Sequence, residues 1–262
     1  SPPPAPCPPH GAGAEEAELE CSLPTGTLGF SVITEADCAI GSHSHYEGLA
    51  VGGTLTDLTP HESGTVDGAS YVHQLASGAN FNFNGGVQYS SGFPFDFAEF
   101  EALALSLTSH VHWGGSDWYS VSVVEQGGAY GDEGGAYDTY DFGGDQGEDE
   151  GRTLVAFTGA GTVRLHATSD GRQFGPSVLA PFAHVVVDGD AGFVDGFIVA
   201  RSVGMDGDNL GAVQLHGDGY SGPLRCKNVV EVPEHCLKDS PRPPPPPPPS
   251  PPPPPSPKAP PP

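Results

Sequence analysis

Apolar residues along this chain fall into short β-branched runs, broken at regular intervals by glycine and acid. The densest stretch, residues 177–204, reads S-V-L-A-P-F-A-H-V-V-V-D-G-D-A-G-F-V-D-G-F-I-V-A-R-S-V-G. Runs of that length between glycine-rich breaks predict three short strands and three turns. Val178-Leu179-Ala180 recurs twenty places later as Ile198-Val199-Ala200, with Val185, Val186 and Val187 between them. A spacing near 20 residues is the signature of a β-solenoid, in which each coil stacks on the one before it. Glu47-Gly48-Leu49-Ala50-Val51-Gly52-Gly53-Thr54-Leu55 echoes Asp195-Gly196-Phe197-Ile198-Val199-Ala200-Arg201-Ser202-Val203, so two such coils are expected to stack edge to edge. A β-sandwich with similar strands fits the same short-strand pattern and stays open as the alternative.

The rest of the core follows this grammar, with one exception. Residues 30–33 open it as a strand, residues 54–92 continue strand and turn, and Phe81 and Phe83 alternate onto one face. Residues 96–111 instead carry Asp96 and Glu99 as cap and third-position acid, followed by Phe97, Phe100, Leu103, Leu107 and Val111 at helical spacing. That pattern predicts one α-helix, buried along its stripe and buttressing the sheet. Residues 154–167 complete the core, where Arg164 and Arg201 are expected to pair with carboxylates. Asp206-Gly207-Asp208-Asn209 reads as a turn.

Both ends differ in composition. The chain opens S-P-P-P-A-P-C-P-P-H and closes P-R-P-P-P-P-P-P-P-S-P-P-P-P-P-S-P-K-A-P-P-P. Proline fixes φ and removes a donor, so neither segment is helix or central strand. As polyproline II the last 22 residues would reach roughly 70 Å. The expected organisation is a proline-rich and acidic arm over 1–21, a β-helical domain over 22–225, a cysteine-bounded linker over 226–240 and a polyproline II tail over 241–262. With no initiator Met and no apolar leader, the chain reads as a mature or trimmed product.

A formal charge of −24, with nine Lys and Arg against 33 Asp and Glu, opposes nucleic acid and anionic bilayers as partners. No apolar stretch approaches the length of a membrane span. Five cysteines without a C-x-x-C pair argue for disulfides, and so for an oxidising compartment, over zinc. The expected bridges are Cys226 with Cys236 and Cys21 with Cys38. Cys7, in the exposed arm, is the odd thiol and the candidate for an intermolecular link.

Candidate binding chemistry concentrates in residues 113–150, where Trp113, Trp118, Tyr119, Tyr137 and Tyr140 alternate with acids. Flat aromatic faces stack on sugar or proline rings. The carboxylates there make Ca²⁺ the one candidate ion, but no D-x-D-x-D-G loop ending in Glu occurs and no metal ligands are assigned. His43 and His45, two apart, lack a third ligand at recognisable spacing. A polysaccharide-active β-helix enzyme would need a strong base and charge-stabilising cations. Lys227 and Lys238 lie outside the core, so no catalytic residue and no cofactor is expected. A flat-faced ice-binding solenoid is a further rival, though no T-x-T ladder repeats.

Two resemblances rest on these motifs. Across residues 29–222 the segments Y-E-G-L-A-V-G-G, D-F-A-E-F, G-P-S-V-L-A-P-F-A-H-V and V-D-G-F-I-V-A-R-S-V resemble, in the same order, those of the choice-of-anchor A family of surface domains. The resemblance implies a mainly β fold: a right-handed β-helix with an α-helix alongside, attached to cell surfaces through variable anchors, with no catalytic residues to carry over. The tail is similar to the hydroxyproline-rich cell-wall glycoproteins of green algae and plants, including pherophorin-like and extensin-like proteins. That likeness implies hydroxylation and O-glycosylation at Pro243, Pro244, Pro245, Pro246, Pro247, Pro248, Pro249, Ser250, Pro251, Pro252, Pro253, Pro254, Pro255, Ser256 and Pro257. No N-x-[ST] sequon occurs. The expected function is a structural glycoprotein of an extracellular wall, matrix or fibril. Its partners would be other copies of itself, joined head to tail through the proline tail, and wall glycans or glycoproteins. A carbohydrate- or surface-binding adhesin module is the alternative.

Overall fold

The computed structural model describes residues 18–41, 45–59, 64–89, 93–114, 117–125, 139–144, 151–167, 173–189, 192–207, 213–217 and 219–227. The first described elements are β1 (Glu18–Cys21) and a 3-10 turn (Thr27–Gly29). Strands β2 (Val32–Thr34), β3 (Cys38–Ile40), β4 (His45–Tyr46), β5 (Leu49–Asp57), β6 (Gly64–Val66), β7 (Ser70–Leu75), β8 (Phe81–Phe83) and β9 (Val87–Gln88) follow, and then helix α1 (Phe97–Ser106). After it come β10 (His110–Gly114), β11 (Asp117–Val124), β12 (Thr139–Gly144), β13 (Thr153–Phe157), β14 (Gly161–Ala167), β15 (Gln173–Phe174), β16 (Ser177–Asp188), β17 (Phe193–Val194), β18 (Ile198–Asp206), β19 (Gln214–Leu215) and β20 (Leu224–Lys227).

These strands build a mainly β solenoid of about six turns, with one α-helix among the described residues. Its long wall runs β10-β11-β13-β16-β18-β2-β5-β7-β9, with β3, β12 and β14 extending it round a corner, and the opposite wall runs β15-β17-β19-β4-β6-β8. The stacking order is not the chain order. The chain starts in the middle at β2, coils outward to β9, passes through α1, resumes at β10 at the far end and coils back until β18 pairs parallel with β2.

The twenty-residue repeat is real: Val178, Leu179 and Ala180 pair in register with Ile198, Val199 and Ala200. The run at Val185 is not a separate strand but the second half of β16, which bends between Ala180 and His184. Pro181 falls in that bend, where its missing N–H costs no ladder bond. The coils echoed in sequence are not adjacent, since β2 and β3 lie between them. Leu49 stacks on Val32 and thence on Ile198, one residue off the sequence echo, while Leu55 meets the Val203 column as the echo has it. The extra residue of β5 is absorbed around Gly52 and Gly53.

One part of the long wall is buried on both faces, which explains its uninterrupted apolar runs. Val32, Leu49, Val51, Val155, Val178, Ala180, Ile198 and Ala200 point into the enclosed interior. Their neighbours Ile33, Ala50, Leu154, Ala156, Leu179 and Val199 point outward and are covered by Phe97, Phe100, Leu103, Ala104 and Leu107. Beyond the bend the outer face is open, and β16 alternates buried Val185 and Val187 with partly exposed Val186 and Asp188.

The corners have their own ladder. Asp195-Gly196, His216-Gly217, Glu47-Gly48, Asp67-Gly68 and Asn84-Gly85 each follow a strand of the short wall in consecutive coils. A Cβ on Gly68 would collide with the Glu47 carbonyl and one on Gly196 with the Pro176 carbonyl. The close approach of stacked backbones therefore dictates glycine there. Buried Ser31, Ser70 and Ser177 accept hydrogen bonds from the backbone N–H groups of Glu47, Leu49 and Tyr220 at 2.9, 3.2 and 2.8 Å.

Helix α1 starts as its sequence requires, with the Asp96 carboxylate accepting from the Ala98 N–H at 3.1 Å. It ends sooner than the apolar stripe suggests. Leu107 turns extended and bridges to Cys226, Thr108 N–H donates to the Arg225 carbonyl at 2.9 Å, and Val111 lies in β10, 56% exposed. β1 pairs antiparallel with β20, so the described strands Glu18–Cys21 and Leu224–Lys227 meet at the expected boundaries near 22 and 225. The proline arms lie outside the described residues.

Leu103 is 7% exposed beneath α1 and Leu105, on its outer side, is 59% exposed. Leu103→Asp is expected to cost more than about 3 kcal/mol, from lost burial and an unpaired interior charge. Leu105→Lys should change stability by less than about 0.5 kcal/mol. Thermal unfolding by circular dichroism compares them, and equal midpoints for Leu103→Asp and wild type would remove the buttress.

Candidate binding edge

The long wall ends at an antiparallel hairpin, β10 with β11, and β10 is its edge strand. Trp113 pairs directly with Trp118 and Val111 with Ser120, so these four share one face. Deeper in the stack that side faces the interior, because Ser122 and Val124 pair with Val155 and Phe157. Among the described residues no further strand pairs with β10, and Trp113 is 72% exposed and Trp118 partly exposed. β10 reads His-Val-His-Trp-Gly, with no acid or lysine in a chain of net charge −24. Native edge strands are commonly blunted by charge or proline, and this one is not.

Strand alternation divides the five predicted stacking residues. Tyr119 falls on the opposite face, where it packs edge-on against Tyr220 with ring centroids 6.1 Å apart. Tyr220 is buried, and its hydroxyl donates to the Pro223 carbonyl at 2.8 Å. Tyr119 therefore belongs to the packing beside the helix and is withdrawn as a stacking residue. Tyr140 lies in β12 opposite Val163, and Tyr137 lies outside the described residues. Trp113 and Trp118 are the pair the fold brings together.

The disulfide pairing needs correction. Cys21 bonds Cys226, with Cα atoms 5.9 Å apart, and Cys38 is a free, buried thiol. Cys38 points into the solenoid interior, paired in register between Val203 and Leu55. Cys21 and Cys226 sit on the helix side of the same wall, so the wall itself keeps Cys21 and Cys38 apart. Cys226 is taken by Cys21 because β20 returns beside β1. Cys7 and Cys236 lie outside the described residues.

Arg164 pairs as expected. Its guanidinium meets Asp206 at 2.6 Å and Asp188 at 3.0 Å. Asp188 and Asp206 stand directly opposite each other on β16 and β18, and the cation between them offsets their repulsion. The Asp206 hydrogen bond, and then that of Asp188, pushes the Arg164 pKa above its ordinary value against desolvation. Arg201 approaches Glu35 at 4.0 Å, and both are exposed. His216, which the sequence does not single out, donates from Nδ1 to the carboxylate of the buried Asp195 at 2.9 Å in the corner ladder. His43 lies outside the described residues and His45 begins β4. Among the described residues, no three His, Cys, Asp or Glu side chains gather as a metal-binding group, and no helix is long and apolar enough to cross a membrane. The glycosylation positions from Pro243 to Pro257 lie outside the described residues. Comparison with family models, curated proteins and solved structures finds no match to this chain.

Burial, with a smaller push from Asp37, raises the Cys38 thiol to about 12, and burial with Tyr119 raises the Tyr220 phenol to about 12. In the unfolded chain these groups lose their protons near their ordinary values, about 8.5 and 10. The neutral forms thus contribute stability that is whole below about pH 8.5 and is lost as pH rises towards 12. Urea midpoints are expected to fall from about pH 8.5 in wild type and only from about pH 10 in Cys38→Ala. Parallel curves over that interval would contradict this assignment.

Proposed function

We propose that this chain is a structural extracellular glycoprotein subunit: a rigid β-solenoid head carrying proline-rich arms that are hydroxylated and O-glycosylated. It would build a wall, matrix or fibril by docking the proline tail of one copy on the head of the next. The observation that carries this reading is the exposed Trp113–Trp118 pair, on an edge strand without acid or lysine, in a chain that also supplies a long polyproline ligand. Polyproline II is preformed, so it loses little entropy on docking, and aromatic surfaces are its usual receptors. A tail-to-head contact is heterologous and propagates as a filament unless the rotation closes. The sequence resemblance to the choice-of-anchor A and hydroxyproline-rich wall proteins points the same way.

The same tryptophan pair favours a second reading, a carbohydrate-binding adhesin module, because sugar rings stack on indole as proline rings do. Titrating a peptide of residues 241–262 and a panel of wall oligosaccharides against the head, with Trp113→Ala as control, separates the two. Peptide binding weakened at least about tenfold by Trp113→Ala supports docking of the tail, at the stacking energy of one aromatic ring. Binding of sugars alone supports the adhesin.

The native protein is expected to weigh more than its unmodified 26.9 kDa, the excess residing in the tail. Intact mass spectrometry decides, and an unmodified mass ends the glycoprotein reading. Deleting residues 241–262 is expected to abolish filaments seen by electron microscopy. Filaments indistinguishable from those of the full chain would mean that the tail is not the connector.

A further inference from the structure

The first and last described strands of the head lie side by side and form a doorway. β1 and β20 run antiparallel with Glu18 opposite Lys227, Leu19 opposite Cys226 and Glu20 opposite Arg225. One arm precedes Glu18 in the sequence and the other follows Lys227. Just inside this pair of exits Cys21 is bonded to Cys226, closing a loop with a sequence separation of 205. Helix α1 and every strand of the solenoid lie inside that loop. The covalent path from arm to arm therefore crosses the short ribbon and one disulfide, and omits the head.

We propose that Cys21–Cys226 is a tension bypass: a pull applied between the two arms is carried by the disulfide, and the solenoid stays unloaded. The reading of the chain as a structural subunit supplies the source of the tension; the route follows from connectivity alone. Without the bond this doorway is a weak point. Strands pulled apart from adjacent ends open rung by rung, like a zipper, and four rungs are all that the ribbon has. Its outward reinforcement is an exposed ion pair, Arg225 with Glu18 at 3.2 Å, of a kind that contributes about 1 kcal/mol or less. Once the ribbon opened, the pull would pass from Cys21 towards β2, the strand that joins the two halves of the solenoid. The disulfide lies outside that joint and stops the opening before it gets there.

The test is force spectroscopy on the full chain held by its first and last residues. Cys7→Ser and Cys236→Ser exclude any contribution from the arm cysteines. Oxidised protein is expected to release no more than a few tens of ångströms from the ribbon, at about 3.3–3.6 Å per residue. Adding a phosphine reductant to the folded, tethered chain should release roughly 700 Å more, the extended length of the closed loop. A Cys226→Ser chain gives the same reading without relying on reductant access, and reduction of folded protein serves if that variant fails to fold. Release of the long step by oxidised chains would overturn the proposal. So would its absence in both reduced and Cys226→Ser chains. Filaments and glycans play no part in this measurement, so its failure and that of the functional reading are separable.

Discussion

The fold depends on one parallel pairing, that of β18 with β2. Ile198, Val199 and Ala200 stack on Val32, Ile33 and Thr34, and Val203 on Cys38. Backbone bonds from Ile198 to Ser31 and from Val203 to Asp37, at 2.9 and 3.1 Å, extend the joint on both sides. The joint lies between two half-solenoids, β2 to β9 and β10 to β18, each of which without it would present an open edge and an open interior. Closing the joint satisfies both edges at once and makes one continuous core. Residues more than 160 positions apart must find each other to do so, which makes late, cooperative assembly the natural order of events.

Helix α1 belongs to the same constraint. The outward residues Ile33 and Ala50 come from one half, and Leu154, Leu179 and Val199 from the other. Phe97, Phe100 and Leu103 cover both sets, so the element that links the halves in sequence also holds them together in space. A run of phenylalanines suits this position, because Phe95 lies 5.4 Å from Phe30 and 5.5 Å from Phe100, filling the angle between helix and wall with rings. Burial of each such side chain contributes about 1.5–3 kcal/mol, spread across the joint.

What could be read in the sequence is what depends on near neighbours. β16 and β18 are consecutive coils of equal length through Ala180 and Ala200, so their repeat is visible; the cap of α1 is set by Asp96 and Ala98. The coil of β2 and β3 was hidden because Val32 and Leu49 are only 17 residues apart, whereas Val155 and Val178 are 23 apart. Corners absorb such differences without disturbing the stack. The Cys21–Cys226 bond was hidden for a different reason: it joins the two ends of the head and follows from the closing of the joint, not from spacing. Tyr119 and Trp118 are consecutive in one strand and so face opposite ways, which could be read only once that segment was known to be a strand. The polar-glycine ladder was half visible, at Glu47 and Asp195, and His216 and Asn84 vary its first residue too much for a motif.

The two ends of the stack are finished differently, and the difference bears on assembly. At the β9 end the edge strand is two residues long, and Leu75, Phe81, Phe83 and Val87 are partly buried over the last of the interior. At the β10 end the edge is five residues long, has no acid, lysine or arginine, and carries an indole with most of its surface in water. Open edges invite pairing with other chains. A net charge of −24 opposes the approach of a second acidic head by the same route, since like-charged surfaces repel across a Debye length of about 10 Å. On the proposed reading, a partner of that edge would bring rings and little negative charge, as a proline-rich rod or a neutral glycan does.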